Sequence, residues 1–165
     1  MGVAARLAEL GLELPTVAAP LAAYVPALRD GDTVWTSGQL PFVAGALPAT
    51  GKVGDGAGLV APDEAAGYAR TAALNALAAV AAAVAADGGP TGADALDRVA
   101  RVVKVVGFVA SDPAFTGQPA VVNGASLLLH EVLGDAGVHA RSAVGVAVLP
   151  MDSPVEVELV VRLRD

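Results

Sequence analysis

The feature that most constrains the fold is a valine-rich segment, residues 98–110, which places apolar side chains on both alternating sets of positions. Such a run is typical of a long strand that is buried on both faces. Phe108 lies near its end, and Asp112-Pro113 terminates it. Both faces of the sheet that contains this strand must therefore be covered by other parts of the protein. We expect helices on one face and the same face of another copy of the chain on the other.

Further strands are predicted on both sides of this segment. Residues 21–28 run towards Asp30-Gly31, a strong signal for a hairpin turn, and Thr33 to Thr36 continue as the second strand. Two C-terminal strands are predicted over residues 141–149 and 155–163. In the last of them valine and leucine alternate with charged residues, so we expect one buried face and one polar face.

Helices are predicted from their start and stop signals. Residues 3–10 form a short helix. Pro62 begins a long helix that stops at residues 87–90, and Pro119 begins another that ends near Gly134. The elements then follow the order ββ-α-β-α-ββ. This order predicts an α+β fold, with a single mixed sheet and two helices packed on one face.

Length and composition exclude several classes of protein. The 165 residues suit one domain, 1–165, and no segment resembles a linker. The absence of cysteine excludes disulfides and thiolate catalysis, and the net charge of −7 with scattered basic residues argues against a nucleic-acid surface. The histidines, His130 on a helix surface and His139 in a loop, have no convincing partner with which to ligate a metal ion. We expect no metal and no cofactor.

Nothing in the sequence indicates a membrane partner or a secretion signal. The longest weakly polar stretch, Ala72 to Ala86, is shorter than the about 20 apolar residues that a membrane span needs. Residues 1–10 lack a basic start followed by a long apolar run. We therefore expect a cytoplasmic protein.

Three stretches of the sequence carry a family resemblance. The first is Tyr24-Val25 followed by Val34-Trp35-Thr36-Ser37-Gly38-Gln39-Leu40-Pro41. The second begins at Asp97-Arg98-Val99, continues through Lys104 to Val109, and includes Phe115 and Asn123. The third is Ala140-Arg141-Ser142-Ala143-Val144, then Leu149-Pro150 and Val155-Glu156-Val157-Glu158. Together they make residues 20–163 resemble the reactive intermediate deaminase family, also called Rid or YjgF.

The resemblance implies a trimer of the chorismate-mutase-like fold, whose sheets wrap a central barrel, with a ligand site in each cleft between subunits. Fold alone does not settle the chemistry, because a class of chorismate mutases shares it. Many family members with the matching arginine hydrolyse reactive enamines and imines to 2-keto acids and ammonia. Here residues 1–20 extend beyond the usual start and the loop 42–61 is longer than in compact members. These departures indicate a divergent, longer member and leave the substrate open.

Arg141 is the first candidate for contact with a substrate. A guanidinium binds a carboxylate through two parallel hydrogen bonds and stays charged. On its strand the same-face neighbours Ala143, Gly145 and Ala147 leave room for a ligand. The resemblance assigns Arg141 to the substrate carboxylate, and Ala143 would contribute only backbone groups. The alternative is an edge arginine that pairs with a surface acid.

Glu156 resembles the family acid that positions the attacking water. A carboxylate can orient a water molecule and accept its proton. Glu158 lies two residues further along the same face, so both side chains can equally be solvated carboxylates of a sheet surface.

Four more residues match positions that line the family's cleft. Tyr24 matches a tyrosine from a neighbouring chain, Ser37 and Gly38 match a turn whose backbone N–H groups face the ligand, and Asn123 matches an asparagine on the second long helix. The glycine allows close approach of the backbone. Two of the four have a structural alternative: Tyr24 can be a core ring with its hydroxyl at the rim, and Asn123 can be an exposed helix residue.

These residues predict an enamine or imine deaminase in which Arg141 and Glu156 carry the chemistry. A non-catalytic module that binds a keto acid in the same cleft is the alternative. Ribonuclease activity, a label given to some relatives, is disfavoured by the acidic charge. A lyase or hydrolase acting on chorismate-like substrates has only fold analogy behind it. The predicted partners are a small carboxylate and further copies of the chain.

Overall fold

The computed structural model describes residues 2–17 and 23–164. Its helices and strands are α1 Val3–Glu9, β1 Ala27–Asp30, β2 Thr33–Thr36, α2 Pro62–Ala86, β3 Val99–Ala110, α3 Gln118–Leu133, β4 Ala140–Val146 and β5 Val155–Leu163. Short 3-10 turns lie at Gly92–Arg98, Gly134–Gly137 and Pro150–Asp152. The predicted order of elements is confirmed. The first strand was predicted too early, over residues 21–28: residues 23–26 are not strand, and β1 begins at Ala27 and continues to Asp30. Residues 21 and 22 of the prediction lie outside the described residues.

The strands form one five-stranded sheet in the order β1-β2-β5-β3-β4. Strands β3 and β4 are parallel and the other pairs are antiparallel, so the sheet is mixed, as predicted. The β1–β2 hairpin turns at Gly31, whose φ of 61° suits a residue without a Cβ. Strand β4 is an edge of the sheet. The α3 helix and its following turn bring the chain to this edge beside β3.

Both long helices pack on one face of the sheet. The alternation predicted for β5 is confirmed, because every second side chain from Val155 to Leu163 is buried. Helix α3 lies so close to β3 that a Cβ on Gly107 would come within 2.5 Å of the Val122 side chain. The helix-covered face is therefore the face of Gly107, Val105 and Val109.

The opposite face of the sheet, which we call the open face, is left uncovered by residues 2–17 and 23–164 of one chain. Large apolar side chains on the sheet remain exposed: Leu28 61%, Trp35 54%, Val103 44% and Val144 43%. Val103 lies at a register shift between β3 and β5, so it and Lys104 both stand beside Val160. Strand β3 therefore has apolar side chains on both faces, as predicted from residues 98–110, but the described residues of one chain cover only one of these faces.

The predicted strand 141–149 is too long. Strand β4 ends at Val146, and the chain then enters the 3-10 turn at Pro150–Asp152. Met151 and Asp152 in this turn both have a φ of 57°, a conformation that no strand residue adopts. The prediction was wrong for residues 147–149 because hydrophobicity continues there while strand pairing does not.

By length and hydropathy, α2 could cross a membrane, yet 56% of its most apolar 18-residue window is buried inside the chain. Its buried positions are mostly alanines that face α3 and the sheet. Small side chains let the two long helices approach closely. The apolar composition of α2 is therefore explained by packing in the core.

The close approach of α2 and α3 gives a stability prediction. A Cβ on Gly124 of α3 would lie 1.8 Å from the backbone oxygen of Ala66 on α2, so Gly124→Ala forces the helices apart. We expect thermal unfolding to report a loss of about 1–3 kcal/mol or more, the usual range for overpacking. Gly67→Ala is the matched control, because a Cβ at this exposed helical glycine meets nothing within 4 Å. It should be neutral or stabilising, and equal stability of the two variants would contradict the packing.

Candidate functional site

Arg141 lies on edge strand β4 with its side chain against α3. Its Nη1 donates to Asn123 Oδ1 at 2.8 Å and to Ser126 Oγ at 3.1 Å, and its Nη2 donates to the Pro119 carbonyl at 3.2 Å. These acceptors all belong to α3, between its second and ninth residues. Of the sequence-predicted residues, the structure brings Arg141 and Asn123 into direct contact.

The hydrogen bonds of Arg141 leave one edge of its guanidinium free for a ligand. A guanidinium has five N–H groups, and Asn123, Ser126 and Pro119 accept three of them. The two N–H groups that these bonds do not use are on Nε and Nη2, which form one edge of the planar group. Two parallel donors on one edge match the two oxygens of a carboxylate.

A cavity of about 290 Å³ opens beside Arg141. It is lined by Asn123, Ser126, His130, Gly137, Val138, His139 and Arg141. We call the part formed by Asn123, Ser126, His139 and Arg141 the arginine half-site. Sequence reasoning missed Ser126 and His139. The signal was available in part, since Ser126 follows Asn123 by three residues and shares its helix face.

His139 is hydrogen-bonded through both of its ring nitrogens. Its Nε2 lies 2.9 Å from Ser126 Oγ, and its Nδ1 is hydrogen-bonded to the Gly137 carbonyl. Burial lowers the pKa of His139, the hydrogen bond to Gly137 opposes this, and the charge of Arg141 lowers it further. The position in a loop was predicted correctly, but the side chain belongs to the arginine half-site. His130 lies on the exposed helix surface, as expected.

Glu156 lies elsewhere, with its carboxylate packed over Gly38. A Cβ on Gly38 would lie 1.6 Å from Glu156 Oε1, so the glycine is required for this packing. Burial raises the pKa of Glu156, and the charge of Glu158 raises it further. Burial also raises the pKa of Glu158. A carboxylate with a raised pKa is a stronger base, which suits a group that must take a proton from water.

Ser37, which precedes Gly38, is hydrogen-bonded to the two residues that follow Tyr24. The Ser37 hydroxyl donates to the Val25 carbonyl at 2.6 Å, and its backbone N–H donates to the Pro26 carbonyl at 2.9 Å. Ser37 N–H is therefore engaged within the chain and does not point to a ligand. The Tyr24 side chain is exposed rather than part of the core. We call the region of Tyr24, Ser37, Gly38 and Glu156 the acid half-site.

The two half-sites are on opposite faces of the sheet. Arg141 pairs with Val105, and Val105 with Leu159, which is buried under the helices. Glu156 pairs with Phe108, and Phe108 with Val144, on the open face. Residues paired across neighbouring strands share a face. One chain therefore cannot bring Arg141 and Glu156 to the same small ligand.

Ala143 shares the face of Arg141. It pairs with Gly107 and is half-buried against the core. Within residues 2–17 and 23–164, no three His, Asp or Glu side chains are grouped so that they could hold a metal ion. The chemistry available to the described residues is that of a guanidinium, carboxylates and a neutral imidazole.

A five-stranded mixed sheet with helices on one face and an arginine at its parallel edge defines a class of small α+β proteins. Residues 4–163 match the family model described as "YjgF/chorismate_mutase-like, putative endoribonuclease". The chain belongs to this family. The recognition made from the motifs and the chorismate-mutase-like fold are both confirmed.

Relatives differ in how closely they match. Protein TCP17 of Trypanosoma cruzi is 43% identical over 166 residues, covering 99% of this chain and 95% of that protein. A crystal structure of an endoribonuclease-like protein from Shewanella oneidensis has a TM-score of 0.86 at 33% identity, over 99% of this chain and 100% of that one. E. coli TdcF with bound serine has a TM-score of 0.57 at 25% identity, over 90% and 94% of the two chains.

Proposed function

We propose that the protein is a homotrimeric enzyme of the cytoplasm that hydrolyses 2-imino acids, and their enamine tautomers, to 2-keto acids and ammonia. The observation that carries the proposal is the guanidinium edge of Arg141, where the N–H of Nε and one N–H of Nη2 are not used by the hydrogen bonds to the described residues of α3. This edge fits the carboxylate of a 2-imino acid. The related TdcF holds serine, which is also a small carboxylate.

The proposed site is composite, with the arginine half-site of one copy facing the acid half-site of the next. Two features support it. Arg141 and Glu156 occupy opposite faces of the sheet within a chain, and the open face displays Leu28, Trp35 and Val103 without cover. Several large apolar side chains exposed on one face of a small protein are typical of a surface that meets another chain.

In the proposed reaction, Arg141 holds the substrate carboxylate while Tyr24 and Asn123 line the cleft. Glu156 accepts a proton from a water molecule as the water oxygen bonds to the imine carbon. Glu156 returns this proton to the nitrogen, which gives the carbinolamine. The carbinolamine hydroxyl then passes its proton to the nitrogen by way of Glu156, the carbon–nitrogen bond breaks, and ammonia leaves as the carbonyl forms. Backbone groups near Gly38 and Ala143 would orient the imine. The protein supplies positioning and a base, which together suffice for a bond that water already attacks.

A binding module is the second candidate, because the arginine half-site alone can hold a carboxylate without meeting any base. In that case the protein would sense a keto acid rather than release ammonia. The endoribonuclease name of the family does not decide the matter. The net charge of −7 and the carboxylates on the open face disfavour a polyanion.

The deciding experiment generates 2-aminoacrylate from serine with a separate dehydratase and follows pyruvate and ammonia. We expect the wild-type protein to accelerate both above the rate in buffer. Pyruvate binding without any acceleration would replace the enzyme proposal with the binding module. Absence of both would remove the proposed site.

A further inference from the structure

A chain of hydrogen bonds leads from the protein interior to Arg141. The Gly137 carbonyl can only accept, so His139 Nδ1 carries the hydrogen of that bond. In the neutral ring, Nε2 is then an acceptor, and the Ser126 hydroxyl donates to it across 2.9 Å. The lone pairs of Ser126 Oγ remain for Arg141 Nη1 at 3.1 Å. Each hydrogen bond in the series from Gly137 to Arg141 therefore has a defined donor and a defined acceptor.

The surroundings of His139 favour this neutral form. The ring is half-buried, and Arg141 on β4 places a positive charge beside it. Across the same cavity it faces His130 on α3, which bonds the Gly134 carbonyl. In the free protein a cationic ring would repel Arg141, whereas the neutral ring accepts the Ser126 hydroxyl hydrogen and leaves the Oγ lone pairs for the guanidinium. A protonated ring would donate to Ser126 Oγ instead, which still holds this oxygen in place and leaves one lone pair for Arg141 Nη1. A helix serine that is free to rotate has no such preference.

We propose that Ser126 and His139 are positioning residues that hold the Arg141 guanidinium in the orientation that captures a carboxylate. The inference rests on the proposed function and identifies the residues that orient Arg141 for its contact with the substrate carboxylate. Asn123 and Ser126 fix Nη1, and Pro119 fixes one hydrogen of Nη2, so the N–H of Nε and the other N–H of Nη2 are left for a ligand beside the cavity that Arg141 lines. His139 acts through Ser126 and does not touch the ligand.

The arrangement also makes capture depend on pH. A bound carboxylate neutralises the charge of Arg141 that His139 experiences, so the pKa of His139 is higher in the complex than in the free protein. By linkage, binding takes up a proton. Affinity is therefore greatest below the pKa of free His139, falls as pH rises from that pKa to the higher pKa of the complex, and stays at a lower constant level above it. Glu156 also has a raised pKa, and its protonation would likewise make pyruvate binding stronger at low pH. Its contribution to the pH dependence must therefore be removed in the test.

The test is pyruvate binding by calorimetry between pH 5 and 8, with Glu156→Gln as the parent protein. Ser126→Ala should weaken binding about tenfold, the size expected for a lost hydrogen bond to a charged group. Ser126→Thr keeps the hydroxyl and should restore most of the affinity. His139→Gln keeps an acceptor for Ser126 but cannot titrate. Its affinity at pH 8 should stay within about threefold of the parent, and the dependence on pH should disappear.

The outcomes separate this inference from the proposed function. If the parent binds pyruvate and Arg141→Ala does not, but Ser126→Ala binds as well as the parent, the positioning device is wrong and the carboxylate site stands. If His139→Gln keeps the full pH dependence, the device is likewise wrong. If the parent binds no pyruvate, or Arg141→Ala binds it equally well, the proposed function fails and this inference fails with it.

Discussion

Arg141→Ala should abolish imine hydrolysis while leaving the fold intact. The side chain is anchored to α3 by hydrogen bonds that are partly exposed, so removing it costs the fold little. The lost contact to the ligand is a charge-assisted bidentate pair. We expect a loss of about 10²-fold or more in kcat/KM. Measurement of keto-acid formation alongside circular dichroism would separate lost activity from lost structure.

Two further arginine variants sharpen this prediction. Arg141→Lys should also fail substantially, because an ammonium cannot reproduce the planar edge of Nε and Nη2. Arg29→Ala is the control, since Arg29 pairs with Asp87 and the Gly31 carbonyl at the hairpin, away from both half-sites. It should keep wild-type kinetics. Wild-type rates in Arg141→Ala would place the site elsewhere.

Val103→Glu should break the assembly and, with it, the activity. Val103 lies on the open face, where a single chain leaves it 44% exposed, so a glutamate there is tolerated by the folded monomer. Between two copies the same carboxylate would be buried without a partner, which costs several kcal/mol for each contact. Light scattering should report about three times the 16.2 kDa chain mass for the wild type. The variant should report one chain.

The control for this variant places the same charge on the other side of the molecule. Ala82 is an exposed residue of α2, and α2 packs on the helix-covered face. Ala82→Glu should keep both the trimer and the activity. A wild-type protein that remains monomeric at micromolar concentration would contradict the assembly itself, and an active monomeric Val103→Glu would contradict the composite site.

Much of the fold could be predicted because its elements are strongly patterned. The alternation in residues 155–163 gave β5 and its buried face, and Pro62 marked the first residue of α2. The apolar run at residues 98–110, with apolar side chains on both faces, predicted β3 and indicated that the second face of the sheet must also be covered. Strand β4 was predicted too long, because Ala147 to Leu149 continue the apolar run but have left the sheet. Hydrophobicity alone does not record the loss of backbone pairing.

The candidate site was predicted less completely, because its geometry depends on residues that meet only in three dimensions. The contact of Arg141 with Asn123 follows from the packing of α3 beside β4, which the motif positions anticipate. The roles of Ser126 and His139 do not follow from any local pattern, since a loop histidine and a helix serine have many possible partners. That Arg141 and Glu156 face opposite ways required the register of the strands.

The central claim, a site shared between copies, is tested most directly by mixing two inactive variants. Arg141→Ala and Glu156→Gln trimers should each be inactive, because every site lacks one half. When the chains are unfolded together and refolded, some sites combine an intact Arg141 from one copy with an intact Glu156 from its neighbour. For random mixing in equal amounts, roughly a quarter of the sites are intact, so we predict recovery of about that fraction of the wild-type rate. If mass spectrometry shows mixed trimers but the rate stays at that of the separate variants, the two residues do not serve one site between copies.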